Sequence, residues 1–281
     1  MFTTLISAPE LAARLNDATI LIVDCRHDLM DLAAGRAAYD AGHLPGAVFA
    51  DMETELAGPR RDAAGFFRGR HPLPSPEQFI ALLRRWGVND NTQVVAYDAH
   101  GGMYAARLWW MLRWVGHEAV AVLNGGLAAW AAAGQSLTTA LPAARPAGNI
   151  SLGTPLVSTV DAAGVLANID RAVFTVVDAR SPDRYRGENE VVDPVGGHIP
   201  GAKNRFFKDN LAADGRFKSP VELQADWAAL GIDPARAVMQ CGSGVTACHN
   251  LLALEVAGLK GAALYAGSWS EWSADPARPV A

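Results

Sequence analysis

The chain is written twice, and that repetition limits its architecture more than any other feature. Ile22-Val23-Asp24-Cys25-Arg26 matches Val176-Val177-Asp178-Ala179-Arg180. Gly42-His43-Leu44-Pro45-Gly46-Ala47 matches Gly197-His198-Ile199-Pro200-Gly201-Ala202, and Trp86-Gly87-Val88 matches Leu230-Gly231-Ile232. Further on, Gly116 pairs with Gly258 and Trp130 with Trp272 at one and the same interval. A chain of 281 residues fits two such domains, each able to bury a core. The matches place the first domain at 1–137 and the second at 155–281. A connecting stretch, 138–154, is marked by the small residues, prolines and glycine of Thr138 to Gly148.

Within each repeat, short β-branched runs (Thr19 to Val23, Val94 to Tyr97, Val173 to Val177, Ala237 to Gln240) alternate with amphipathic stretches. That alternation predicts an α/β fold, a mainly parallel sheet flanked by helices on both faces in each domain. Asp161 to Ala167, Pro220 to Leu230 and Ala247 to Ala257 read as helices. Ser75 before Pro76 and Ser219 before Pro220 supply an N-cap and a first-turn proline.

The most reactive place in such a fold is a loop at the carboxyl end of a strand, and Cys241 sits in one. The run Ala237 to Gln240 meets Cys241-Gly242-Ser243-Gly244-Val245-Thr246, and a helix follows. A thiol facing the first amides and the positive end of a helix has its pKa lowered from about 8.5 and carries extra thiolate near neutrality. Gly242 and Gly244 remove the Cβ atoms that would keep backbone amides away, and the hydroxyls of Ser243 and Thr246 add donors. A cysteine that merely ends a core strand needs no glycine-rich turn after it.

The run CGSGVTA from Cys241 to Ala247 resembles the active-site loop of the rhodanese-family sulfurtransferases, and its Gly-Ser-Gly is closer to the 3-mercaptopyruvate branch than to the thiosulfate branch. The latter usually shows a basic pair where Gly242 and Ser243 stand. The resemblance covers nearly the whole chain and implies two tandem rhodanese-like domains, a persulfide on Cys241 and no cofactor. It also implies a small-molecule sulfur donor and a thiol, thioredoxin-like or cyanide acceptor. Counting back by the interval that relates the glycines and tryptophans places Ala99 opposite Cys241, so the first domain is expected to be catalytically inactive.

The same resemblance assigns the remaining site residues. Arg184, in Arg184-Tyr185-Arg186-Gly187, matches the family's substrate-binding arginine, and a guanidinium suits a carboxylate or thiosulfonate. A second arginine usual in mercaptopyruvate enzymes is missing from Glu188 to Gly196, which leaves Arg186 and Lys203 as substitutes. Gly242, Gly244, Val245 and Thr246 would line the donor site. His43, with Asp31 and Ser243, is the expected proton-transfer group, whereas its counterpart His198 reads as a turn residue. Asp24, Arg26, Asp178 and Arg180 recur in both halves and so read as structural ion pairs. Cys25 and Cys248 read as core.

Composition removes other classes. A net charge of -5 gives no electrostatic case for nucleic acid. No segment has the uninterrupted apolar length of a membrane span, and the N-terminus lacks a signal-peptide pattern, so a cytoplasmic protein without a membrane partner is expected. Three cysteines without zinc-ligand spacing imply neither metal nor disulfide framework. A Cys-x5-Arg phosphatase needs arginine where Ala247 stands. Thiosulfate:cyanide transfer, or a persulfide carrier that serves a partner protein, remains as an alternative to mercaptopyruvate turnover.

Overall fold

Each half of the chain builds a five-stranded sheet in which every pairing is parallel, flanked by helices. The computed structural model describes residues 1–281. Its contacts divide it into two units. The first comprises Met1–Ala57, Pro74–Leu156 and Ala212–Phe217; the second comprises Gly58–Leu73, Val157–Leu211 and Lys218–Ala281. The repeat boundaries do not anticipate this exchange, in which a segment from each half is incorporated into the other unit.

In the first unit the strands are β1 (Leu5–Ile6), β2 (Ile20–Asp24), β3 (Val48–Phe49), β4 (Gln93–Tyr97) and β5 (Val120–Leu123), ordered β1-β5-β4-β2-β3. Its helices are α1 (Ala8–Ala12), α2 (Ala34–Ala41), α3 (Pro76–Arg85), α4 (Ala105–Trp114) and α5 (Gly126–Ala132). All five residues of β2 and of β4 are buried, which is why these strands read as unbroken apolar runs rather than as alternations. Stretch 138–154 lies along this unit. Thr138 exchanges two backbone hydrogen bonds with His43, Gly148 donates to the Arg84 carbonyl, and the Arg145 guanidinium donates to the carbonyls of Ile20 and Ala18. Its prolines prevent a helix there, and Gly148, Ile150 and Gly153 instead donate their amides to carbonyls of this unit.

The second unit repeats the plan. Strands β6 (Ser158–Thr159), β7 (Thr175–Asp178), β8 (Lys203–Asn204), β9 (Ala237–Gln240) and β10 (Ala263–Leu264) are ordered β6-β10-β9-β7-β8. The helices are α6 (Ala162–Arg171), α7 (Pro182–Tyr185), α8 (Pro220–Ala229), α9 (Thr246–Val256) and α10 (Ser268–Trp272). Ser75 and Ser219 form complete capping boxes with Gln78 and Glu222, the reciprocal bonds that fix a helix start. The symmetric ion pairs are present as read. Arg26 grips Asp24 and donates to the Gly42 carbonyl, and Arg180 grips Asp178 and donates to the Gly197 carbonyl.

Strand register corrects one equivalence. Asp24 pairs with Tyr97 in β4, and Asp178 pairs with Gln240 in β9. Asp98, not Ala99, therefore stands where Cys241 stands. The Leu127 amide donates to the Asp98 carbonyl just as the Trp269 amide donates to that of Cys241. The interval taken from the glycines fails at the loop because the first half carries one more residue between strand end and glycine. The Asp98 carboxylate fills its own loop, accepting from the amides of His100, Gly102, Tyr104 and Ala105 at 2.8, 2.9, 2.8 and 2.9 Å.

Candidate active site

Cys241 leaves the carboxyl end of β9, and three backbone hydrogen bonds fix its loop. The Cys241 amide donates to Ser268 Oγ at 3.1 Å, its carbonyl accepts from the Trp269 amide, and the Gly242 carbonyl accepts from the Ser270 amide. Gly244 adopts φ +77°, and a Cβ there would lie 2.3 Å from the Ala266 carbonyl oxygen, so the turn admits only glycine. This turn swings the Gly244 amide to 3.2 Å from Cys241 Sγ. Val245 caps α9 and Thr246 begins it, which directs the positive end of an eleven-residue helix at the same loop. The sulfur is enclosed, with Cys241 2% exposed.

Gly242 serves a different purpose from the one its sequence suggests. A Cβ at this position would lie 2.8 Å from Arg70 Nη2, with Arg184 Nη2 and Nη1 at 3.8 and 3.9 Å. The missing side chain makes room for two guanidinium groups, so the cationic character absent from the loop's own sequence is supplied from outside it. Arg184, on α7, donates from Nε and Nη2 to Glu190 at 3.0 and 2.9 Å and from Nη2 to Asp193 at 3.2 Å. Arg70 Nη1 donates to the other oxygen of Asp193. Burial pushes the Asp193 carboxyl above its ordinary value despite the neighbouring Arg70.

Arg70 belongs to the Gly58–Leu73 segment, which docks on the start of α10. The Arg70 amide donates to Ser270 Oγ at 3.1 Å, and Gly69, at φ +104°, passes so close to the Gly267 carbonyl that a Cβ would meet it at 2.7 Å. The next residue, His71, is buried and places Nδ1 2.8 Å from Ser243 Oγ. The serine hydroxyl thus faces an imidazole.

That imidazole is not the expected one. His43 is fully buried in the first unit, stacked on Tyr39 at 3.9 Å, with Nδ1 2.8 Å from the Tyr39 carbonyl and Nε2 3.1 Å from that of Ala140. His198 repeats the arrangement, stacked on Tyr185 with Nδ1 on its carbonyl, so both histidines of the repeated motif hold turns. Asp31 is exposed and accepts from the Ala33 amide, with no link to His43. Arg186 pairs with Glu188 at the surface, and Lys203 Nζ donates to the carbonyls of Leu230 and Gly231. Neither joins Arg184.

Sequence reading missed Arg70, His71 and Ser268. The first two carried one signal: Arg68-Gly69-Arg70-His71-Pro72 is a basic, glycine-containing run with no counterpart in the other repeat. Cys248, on α9, donates its thiol to the Gly244 carbonyl of the preceding loop, and burial pushes the Cys25 thiol well up, so both act as core residues.

A model of the rhodanese-like domain matches residues 7–133 and again 161–275. The chain belongs to the rhodanese family. Among its family relatives, a "Probable 3-mercaptopyruvate sulfurtransferase" of Pseudomonas aeruginosa is 48% identical over 99% of this chain and 97% of its own length. The thiosulfate sulfurtransferase of Mus musculus is 38% identical over 84% of this chain and 79% of its own. Among solved rhodanese structures, SseA from Escherichia coli, a 3-mercaptopyruvate sulfotransferase, superposes with a TM-score of 0.80 at 33% identity, covering 96% of this chain and all of that one. The 3-mercaptopyruvate sulfurtransferase from Leishmania major gives 0.85 at 32% identity, covering 97% of this chain and 74% of that one. No helix is long and apolar enough to cross a membrane.

Proposed function

We propose that this rhodanese-family chain is a sulfurtransferase that takes sulfur from 3-mercaptopyruvate onto Cys241 and passes it to a thiol or to cyanide. The observation that carries this reading is the seating of Cys241: its sulfur accepts from the Gly244 amide at the head of α9, and two guanidinium groups close over the adjacent Gly242. Amide, helix end and guanidiniums together suit an anionic persulfide and an anionic donor at one place.

The chemistry follows in two displacements. The Cys241 thiolate attacks the donor's sulfur, an S–S bond forms, and the C–S bond breaks with its electron pair passing into the enolate of pyruvate. Protonation of that enolate at carbon releases pyruvate. An acceptor thiolate or cyanide then attacks the outer sulfur, and the S–S pair returns to Cys241. In this reading the Ser243 hydroxyl relays the proton, supported by the His71 imidazole 2.8 Å from it.

Thiosulfate is the second donor to consider, supported by the name of the mouse relative and by the basic groups above Gly242. Measuring kcat/KM for both donors with cyanide as common acceptor tests the preference, and a higher value for thiosulfate would overturn it. Cys241→Ala should abolish turnover and the mass gain of one sulfur, while Cys248→Ala keeps most of both. A chain that loads once but does not cycle with small acceptors would instead be a persulfide carrier.

A further inference from the structure

We propose that Arg70 and Arg184 together form the seat for the donor's carboxylate, and that Asp193 occupies this seat until the donor displaces it. The inference rests on the sulfurtransferase reading and deepens it. Both guanidiniums approach one point, the missing Cβ of Gly242. Consecutive Cα atoms are about 3.8 Å apart, so a carboxylate held there lies one residue from the nucleophile. In 3-mercaptopyruvate the sulfur is three bonds from the carboxylate carbon, about 4 Å when extended. So short a donor needs its seat beside the residue that carries the thiol, and Gly242, under both guanidiniums, is that residue's immediate neighbour.

Asp193 shows what the seat accepts. One carboxylate oxygen takes Arg70 Nη1 and the other takes Arg184 Nη2, a bridge between two guanidinium forks that a donor carboxylate can reproduce. Exchanging one carboxylate for another leaves the charge count unchanged, so no buried charge is stranded during the swap. Asp193 is a replaceable occupant: its segment, Glu188 to Gly196, has no helix or strand to hold it, and burial disfavours its charged form. Arg184 stays in place when Asp193 leaves, because Glu190 grips it through two further bonds. Arg70 Nε has no acceptor in the chain. The second unit therefore supplies, from the Gly58–Leu73 segment, the second arginine absent from Glu188 to Gly196.

The test compares two donors on the full chain with cyanide as acceptor: 3-mercaptopyruvate, which carries a carboxylate, and inorganic polysulfide, which does not. Arg70→Ala should raise KM for mercaptopyruvate about 30-fold or more, and the fall in kcat/KM should be at least about tenfold larger than with polysulfide. Arg70→Lys should restore part of the loss, and Asp193→Asn should lower KM for mercaptopyruvate. If Arg70→Ala does not fold, judged by its melting transition, Arg70→Gln carries the same comparison. A mercaptopyruvate KM within about twofold of the unsubstituted chain, or equal losses with both donors, would overturn the shared seat. A raised KM in Asp193→Asn would overturn the role of Asp193 as occupant. Failure of the unsubstituted chain to load sulfur on Cys241 from either donor would instead sink the sulfurtransferase reading itself.

Discussion

His71 Nδ1 lies 2.8 Å from Ser243 Oγ, although 172 positions separate them in sequence. A hydroxyl beside the nucleophile, oriented by an imidazole, can hand a proton to a developing carbanion and recover it, and such groups contribute about a hundredfold or more to rate. His71→Ala and Ser243→Ala are each expected to lower kcat with mercaptopyruvate by about 10- to 100-fold, and the double substitution by scarcely more than the worse single one. Losses that multiply would show that the two residues act separately. His43→Gln, by contrast, should register in thermal stability, because its ring closes a turn between the Tyr39 and Ala140 carbonyls.

Asp98 gives the same loop a different occupant. Four amides converge on its carboxylate in a fully buried setting, so the first unit fills an anion cradle with its own side chain. Asp98→Ala leaves those donors unpaired, and at about 1–3 kcal/mol for each buried unsatisfied group, partly relieved by relaxation, a loss of about 3 kcal/mol or more is expected. Asp98→Asn should fare little better, because its NH2 group must face two of the amides. Urea denaturation measures both, and an asparagine variant as stable as the unsubstituted chain would exclude a charge-assisted cradle.

The parts of this molecule legible in the sequence are those set by local periodicity. Buried parallel strands announce themselves as apolar runs, Ser75 and Ser219 mark helix starts, and Gly244 marks the turn that folds back onto Cys241. Residues recruited from a distance were illegible. Arg70 and His71 lie far from Cys241 in sequence, and the repeat itself misled, since His43 sits in a motif shared with His198 whereas His71 sits in a run without a counterpart. One added residue before α4 was enough to shift the apparent equivalent of Cys241 from Asp98 to Ala99.

Stability should depend on pH through His117. Its Nε2 lies 2.8 Å from the Thr92 carbonyl, and burial holds the imidazole below its ordinary 6.5. As pH falls through 6.5, the unfolded chain takes up this proton before the folded chain does, so the stability present above that pH is lost toward the lowered folded value. Melting temperatures measured from pH 7 to about 5 should therefore fall, and His117→Gln should flatten that slope. An identical slope in the variant would exclude His117 as its source.

Ser268 adopts φ +56° without being glycine, and its fully buried hydroxyl both accepts from the Cys241 amide and donates to the Tyr265 carbonyl. The left-handed conformation costs about 1 kcal/mol or more for a residue with a Cβ, and the two hydrogen bonds offset it. Ser268→Ala keeps the strain and orphans the Cys241 amide, whereas Ser268→Gly loses the bonds but relieves the strain. The alanine variant should therefore be the less stable of the two, destabilised by about 1–3 kcal/mol. Both should turn over more slowly, because the amide that anchors the nucleophile's backbone has lost its acceptor. A glycine variant less stable than the alanine variant would show that the backbone at Ser268 carries no strain, and full activity in both would show that Cys241 is held by its remaining contacts alone.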